Sequence, residues 1–222
     1  MTNKPLRGLA AACVIFDVDG TLVDSAPDLL GTLNVLMADL GRRPLKLDEV
    51  RHAVGHGAKA LIRNGAMLTG DALEDAQIDV LFEKYLAHYS ANIVVKTKPF
   101  PGAREVLEAL KQNGTALAVC TNKLDSLTHQ VLEALNLKSY FDVIVASDTF
   151  VNMKPDPMGI MEIMKATGAA PGTTLFVGDS ITDLDAGRAA GVDVVLVDFG
   201  YSKVPVEQLT PDAIISDLRD IL

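Results

Sequence analysis

The stretch Phe16-Asp17-Val18-Asp19-Gly20-Thr21-Leu22-Val23-Asp24-Ser25 (FDVDGTLVDS) follows directly on an apolar run, Ala10 to Phe16. The run reads as a buried strand. It ends in two carboxylates, Asp17 and Asp19, followed at once by a glycine and a threonine. A core strand gains nothing from paired acids, and like charges are costly to bury. The pattern therefore calls for a cation or a reaction at the strand's end.

Beyond it, short apolar runs recur at Ala12–Phe16, Ala116–Cys120, Val143–Ala146, Thr174–Val177 and Val192–Val197. Amphipathic stretches starting at Glu105, Ser126 and Pro157 separate the later ones, the first ending at Gly114 as a C-cap. Strand–helix alternation predicts an α/β fold, a parallel sheet with helices on both faces, which binds ligands beyond the carboxyl ends of its strands.

From Ser25 to about Lys96 the alternation stops. Ser25 is expected as an N-cap, with Pro27 and Asp28 in the first turn. Leu29, Leu30, Leu33, Leu36, Met37 and Leu40 then recur at helical spacing, and further helical patterns cover Leu47–Val54, Ala58–Met67 and Leu73–Ala91. The expected organisation is a core from residues 1–24 and 97–222 with an all-helical insert at 25–96, and the turn-rich Lys96–Gly102 as the return hinge.

Polar groups follow four strands: Asp17-Val-Asp19-Gly20-Thr21, Thr121-Asn122-Lys123, Lys154-Pro155-Asp156-Pro157 and Gly178-Asp179-Ser180-Ile-Thr-Asp183. A parallel sheet gathers such ends at one crevice, and the set fits phosphoryl transfer. Asp17 suits a nucleophile on phosphorus and Asp19 an acid and base at the leaving oxygen and water. Gly20 lets backbone N–H groups approach phosphoryl oxygens. Thr121 supplies a hydroxyl and Lys154 a fixed positive charge. Asp179 suits a hard cation, with Asp183 one turn on either touching the metal or holding Lys154. Ser180 reads as the cap of the next helix, and Asn122 as shaping the phosphate loop. Two carboxylates about 4 Å apart repel by roughly 4 kcal/mol at an effective dielectric near 20. Lys154 alone does not balance Asp17, Asp179 and a phosphate dianion, so Mg2+ is expected as cofactor.

In order and spacing these four segments resemble the signature motifs of the haloacid dehalogenase-like phosphohydrolase superfamily over nearly the whole chain. The resemblance implies a Rossmann-like core, an aspartyl-phosphate intermediate, and Mg2+ held by Asp17, the backbone carbonyl of Asp19, and Asp179, with Asp183 behind. It also implies that the insert is the helical cap of subfamily I. A second acid at Asp19 is absent from haloacid dehalogenases and phosphonate-cleaving relatives, which favours phosphate esters. Phe16–Leu29, Val50–Ile62, Phe100–Lys111 and Cys120–Lys123 are most similar to bacterial phosphoglycolate phosphatases, with a departure at His56. This implies 2-phosphoglycolate as the first candidate substrate. Sugar-phosphate phosphatase, β-phosphoglucomutase-like mutase and pyrophosphatase activities are the alternatives, and a non-enzymatic scaffold is disfavoured because every motif position is filled. In the insert, Gly55-His56-Gly57 is expected to close over the core site, and His56, Lys59 or Arg63 either meets the anionic remainder of the substrate or faces solvent; Lys59 and Arg63, four apart, share a helix face.

Bulk properties narrow the partners. A chain of 222 residues, 49% hydrophobic, can bury a sizeable core. Net charge −9 disfavours nucleic acid and acidic lipid, so a small phosphorylated metabolite is the expected partner. No apolar run approaches the roughly 20 residues needed to span a bilayer, and the N-terminus lacks a signal-peptide layout. Cys13 and Cys120 lack metal-ligand spacing and read as reduced, buried thiols, consistent with a cytoplasmic monomer or homodimer. His52, His88 and His129 read as surface or packing residues, and Met158, Met161 and Met164 as one helix face.

Overall fold

The strand before the paired aspartates, β1 (Cys13–Phe16), is buried at every residue. A computed structural model describes residues 8–55 and 57–222 of the protein, so His56 lies outside the described residues. After β1 the order is β2 (Val23–Asp24), α1 (Ala26–Asp39), α2 (Leu47–Val50), α3 (Ala58–Thr69), α4 (Asp75–Ala91), β3 (Lys98–Pro99), α5 (Ala103–Gln112), β4 (Ala116–Cys120), α6 (Asp125–Ala134), β5 (Val143–Val145), α7 (Met158–Thr167), β6 (Thr174–Gly178), α8 (Ile181–Ala190), β7 (Asp193–Val197) and β8 (Ala213–Ile215).

Six strands form one sheet in the order β5-β4-β1-β6-β7-β8, parallel throughout. The four inner strands, β1, β4, β6 and β7, are buried on both faces and read as continuous apolar runs. Alternate residues separate the two sides. Val14 and Phe16 join the cluster that holds α5 and α6, whereas Cys13 and Ile15 join the one that holds Ile160, Ile163 and Met164 of α7 and Ala186 of α8. The expected α/β fold is therefore present. β8 was not expected: three residues are too few to show a period, and it is placed by pairing with β7.

The stretch between β2 and β3 is helical apart from its connections, and those two short strands pair antiparallel where the chain leaves and returns. Leu33 and Leu36 of α1, Ile62 of α3 and Ile78 and Tyr85 of α4 are buried in the same cluster as Val14 and Phe16. Ser25 precedes α1 as expected, but its side chain makes no bond to the helix; the hydroxyl donates to Asp19 Oδ1 at 2.6 Å. No described helix is long and apolar enough to cross a membrane.

Asp28 does more than sit in a first turn. Its Oδ2 accepts the N–H groups of Val95 at 2.9 Å and of Lys96 and Thr97 at 2.8 Å, and the Thr97 hydroxyl at 2.8 Å. The start of the helical segment is thus bonded to its end. Burial pushes the Asp28 carboxyl up, but these donors outweigh it and hold it below the ordinary value. Asp28→Ala is expected to lower the unfolding free energy by about 2–3 kcal/mol in urea titrations at neutral pH. A depressed folded-state pKa means the contribution is present above the unfolded value of about 3.9 and is lost as pH falls through the folded one. A loss under about 0.5 kcal/mol would show that this junction is held by other contacts.

Candidate active site

β1 lies between β4 and β6, so Asp17, Thr121 and Asp179 leave adjacent strands at their carboxyl ends. The chain fills the sheet first on one side of β1 and then on the other, and such a reversal opens a crevice at the rim. Asp17 Oδ1 accepts the Val18 N–H at 2.7 Å and faces Lys154 Nζ at 3.1 Å. Thr121 also hydrogen-bonds this carboxylate. Lys154 Nζ donates to Asp183 Oδ1 at 2.6 Å and lies 5.3 Å from the Phe176 ring centre. Asp183 Oδ2 accepts the N–H groups of Asp179 and Ser180, each at 3.1 Å, and the Ser180 hydroxyl at 2.6 Å. Asp183 thereby holds Lys154 and closes the first turn of α8, and Ser180 takes part in that turn as its cap.

One carboxylate oxygen each from Asp17, Asp179 and Asp183 lies within 4.8 Å of the others, and all three residues are buried. At that separation each pair repels by at least roughly 3 kcal/mol at an effective dielectric near 20. Burial pushes Asp17 up to about 6; Lys154 and Thr121 pull the other way, and Asp183 adds to the push. Asp179 is raised still further, by burial first and then by Asp183 and Asp17, against the Tyr201 N–H and Lys154. Burial also works against the charge of Lys154, but Asp17 and Asp183 outweigh it and hold the ammonium well above the ordinary lysine value. Three buried acids facing one ammonium are short of positive charge. An all-oxygen donor set of this kind fits a hard divalent cation.

Two glycines make room for Asp179. Gly20 has φ +88°, and a Cβ there would meet Asp179 Oδ2 at 2.4 Å; at Gly200 it would meet Asp179 Cβ at 2.3 Å. Gly20's own N–H donates to Val23 O at 3.0 Å, within the turn. Tyr201 N–H donates to Asp179 Oδ2, and the Tyr201 hydroxyl donates to Asp24 Oδ1 at 2.7 Å. The strand ends singled out in the sequence did not include β7, although the same rim rule points to the Gly200-Tyr201 turn beyond it.

Asp19 is held apart from the other acids. Besides Ser25 it has Lys123, whose Nζ lies 3.2 Å from Oδ1 and 3.0 Å from Oδ2. Lys123 Nζ also donates to the Tyr89 hydroxyl of α4 at 2.9 Å and lies 4.7 Å from that ring's centre. Neither Lys123 nor Tyr89 has a role assigned by the sequence motifs alone. Their signal was weak: Lys123 follows Thr121 by two, and Tyr89 looks like any apolar helix position. Asn122 Nδ2 donates to the Lys154 carbonyl at 3.0 Å, tying two of the rim loops together.

A cavity of about 260 Å³ opens from Asp17 and Asp19 toward the helical segment. Gly55 and Gly57 line it, as do Thr121, Asn122, Lys123 and Lys59, but most of its wall is apolar, including Leu29, Phe82, Leu86 and Leu127. Arg63 is not part of the wall. It pairs with Asp75 at 2.6 Å, and Lys59 pairs with Asp79 at 2.6 Å. The four-residue spacing of the two cations matches that of the two acids on antiparallel α4, so both are engaged in tying α3 to α4. That placement counts against Arg63 as a substrate contact and leaves Lys59 at the cavity with its charge partnered.

The family model for haloacid dehalogenase-like hydrolases matches residues 14–197. The chain is 43% identical over 217 residues to a phosphoglycolate phosphatase of Agrobacterium fabrum, covering 98% of this chain and 91% of that one. It is 40% identical to a phosphoglycolate phosphatase of Caulobacter vibrioides, covering 97% and 91%. Among solved structures, a predicted phosphoglycolate phosphatase from Haemophilus somnus superposes with a TM-score of 0.90 at 30% identity, over 96% of each chain. With the rim of acids, the lysine between them and these matches in hand, the chain belongs to the haloacid dehalogenase-like hydrolases and is a phosphatase among them.

Proposed function

We propose that the protein is a Mg2+-dependent, cytoplasmic phosphatase that hydrolyses a small phosphomonoester through an aspartyl-phosphate on Asp17, with 2-phosphoglycolate as the first candidate. The observation that carries the reading is the buried Asp17–Lys154–Asp183–Asp179 cluster, which is short of positive charge and opens into a cavity of substrate size. The substrate itself is suggested by relatives named as phosphoglycolate phosphatases at 43% and 40% identity.

Asp17, Asp179 and the Asp19 backbone carbonyl would hold the cation, with Asp183 behind them. When bound, the ion supplies charge that offsets the carboxylates and polarises the phosphoryl oxygens. The chain's own groups supply the rest. Val18 N–H, Lys154 and Thr121 fix the Asp17 carboxylate for attack on phosphorus. Lys154 also neutralises charge on the transferring group. Asp19 gives its proton to the leaving oxygen, releasing the alcohol, then takes one from the water that attacks the aspartyl-phosphate. That second attack frees inorganic phosphate and restores Asp17. The helical segment acts as a cap, with Gly55 and Gly57 at the cavity wall, and excludes bulk water. A mutase would instead have to shield the aspartyl-phosphate from water and return its phosphoryl group.

Asp17→Asn is expected to lower kcat by at least about a thousandfold while circular dichroism and melting stay native-like. Activity within tenfold of the parent would remove Asp17 as nucleophile. EDTA is expected to stop turnover. Mg2+ at about 100 times its Kd adds about 2.7 kcal/mol of stability, and so raises Tm by roughly 5–10 °C. Asp179→Asn is expected to abolish that shift, and an unchanged shift in the variant would place the cation elsewhere.

A further inference from the structure

The proposed chemistry fixes where the rest of an ester would go. With its phosphoryl group at Asp17 and its leaving oxygen at Asp19, the alcohol portion extends into the cavity. The charged side chains lining that cavity, among the described residues, are Asp17, Asp19, Lys59 and Lys123. Lys59 is half-exposed and pairs with the exposed Asp79, so solvent screens its charge. Lys123 is different: it is 8% exposed, lies 3.0 Å from the proposed acid, and is surrounded by apolar wall.

Its other partner matters as much. The Tyr89 hydroxyl accepts its bond from Lys123, because an ammonium has donors only. The phenolic proton therefore points elsewhere, and no acceptor for it occurs among the hydrogen bonds of the described residues. A buried Tyr hydroxyl normally finds a partner for its proton. An ammonium and an unused phenol O–H, 2.9 Å apart at a cavity wall, form a pair of donors suited to one carboxylate.

We infer that Lys123 and Tyr89 read the carboxylate of the leaving group, which makes phosphate esters of short 2-hydroxy acids the preferred substrates. The inference rests on the phosphatase reading and adds the residues that set its specificity. In a 2-hydroxy acid the carboxylate stands two bonds beyond the leaving oxygen, so an ester whose leaving oxygen meets Asp19 carries its carboxylate next to that oxygen, on the side where Lys123 Nζ lies 3.0 Å from Asp19 Oδ2. The arrangement has a second consequence. A substrate carboxylate competes with Asp19 for the same ammonium. Binding an acid ester therefore loosens Asp19 from Lys123 and lets it turn to the leaving oxygen, whereas a neutral ester leaves the Asp19–Lys123 pair closed.

The test compares kcat/KM for 2-phosphoglycolate, ethyl phosphate and p-nitrophenyl phosphate, with Mg2+ present, in the parent, Lys123→Met and Tyr89→Phe. The parent is expected to prefer 2-phosphoglycolate to ethyl phosphate by at least about 30-fold. Lys123→Met is expected to cut that preference about 10- to 100-fold, and Tyr89→Phe about 3- to 10-fold. Tyr89→Phe removes a single oxygen and keeps the ring, so it carries the test if Lys123→Met does not fold. A parent without the preference would overturn the inference. So would variants that slow 2-phosphoglycolate and ethyl phosphate by one common factor, since Lys123 would then only position Asp19. In both cases turnover of p-nitrophenyl phosphate that depends on Asp17 leaves the phosphatase reading standing. No such turnover of any ester would overturn both.

Discussion

The rest of the site depends on a charge imbalance. Asp17, Asp179 and Asp183 bring carboxylate oxygens within 4.8 Å of one another, and Lys154 is the ammonium set among them. Burial raises the affinity of Asp17 and Asp179 for protons, which is the form that imbalance takes without a cation. A fold selected for stability alone would not keep such a cluster, because removing the acids would relieve it. Backbone features nearby serve the same arrangement. Gly20 and Gly200 leave out side chains that would displace the Asp179 carboxylate, and the Tyr201 N–H fixes its orientation.

Asp19 is treated separately. Two residues from Asp17, it is held by Ser25 and Lys123 rather than by Lys154. Two neighbouring acids thus have different counter-cations, an environment suited to the two separate roles proposed for them. Because Lys123 also bonds Tyr89 of α4, the environment of Asp19 reaches into the helical segment. Asp28 in turn bonds the start of that segment to its end at residues 95–97, next to the β2–β3 pair where the chain leaves and returns.

Much of the fold was legible because it is periodic. Apolar runs at Ala116–Cys120 and Thr174–Val177 became β4 and β6, with β6 extending to Gly178. The helical patterns of the insert became α1 to α4 within a few residues at each end. β2, β3 and β8 were not legible, since strands of two or three residues are defined by their partners and not by their own pattern. In the site, Asp17, Asp179, Asp183 and Lys154 could be named because each follows a strand or opens a helix at one rim. Tyr89 could not, and the part played by Lys123 could not, because each gains its meaning only from a neighbour distant in sequence; Gly200 and Tyr201 lie where the same rim rule reaches, beyond the end of β7. The same limit explains Lys59 and Arg63. Their spacing places them on one helix face, but only the structure shows Asp79 and Asp75 opposite.

The most direct test of the charge argument is a crystal structure of the protein grown with Mg2+ and BeF3−, a mimic of a phosphoryl group on a carboxylate. The account predicts BeF3− bonded to Asp17, one Mg2+ shared with Asp179, and Lys154 Nζ within hydrogen-bond distance of a fluoride. Mg2+ bound away from these acids, or BeF3− on any other carboxylate, would contradict it.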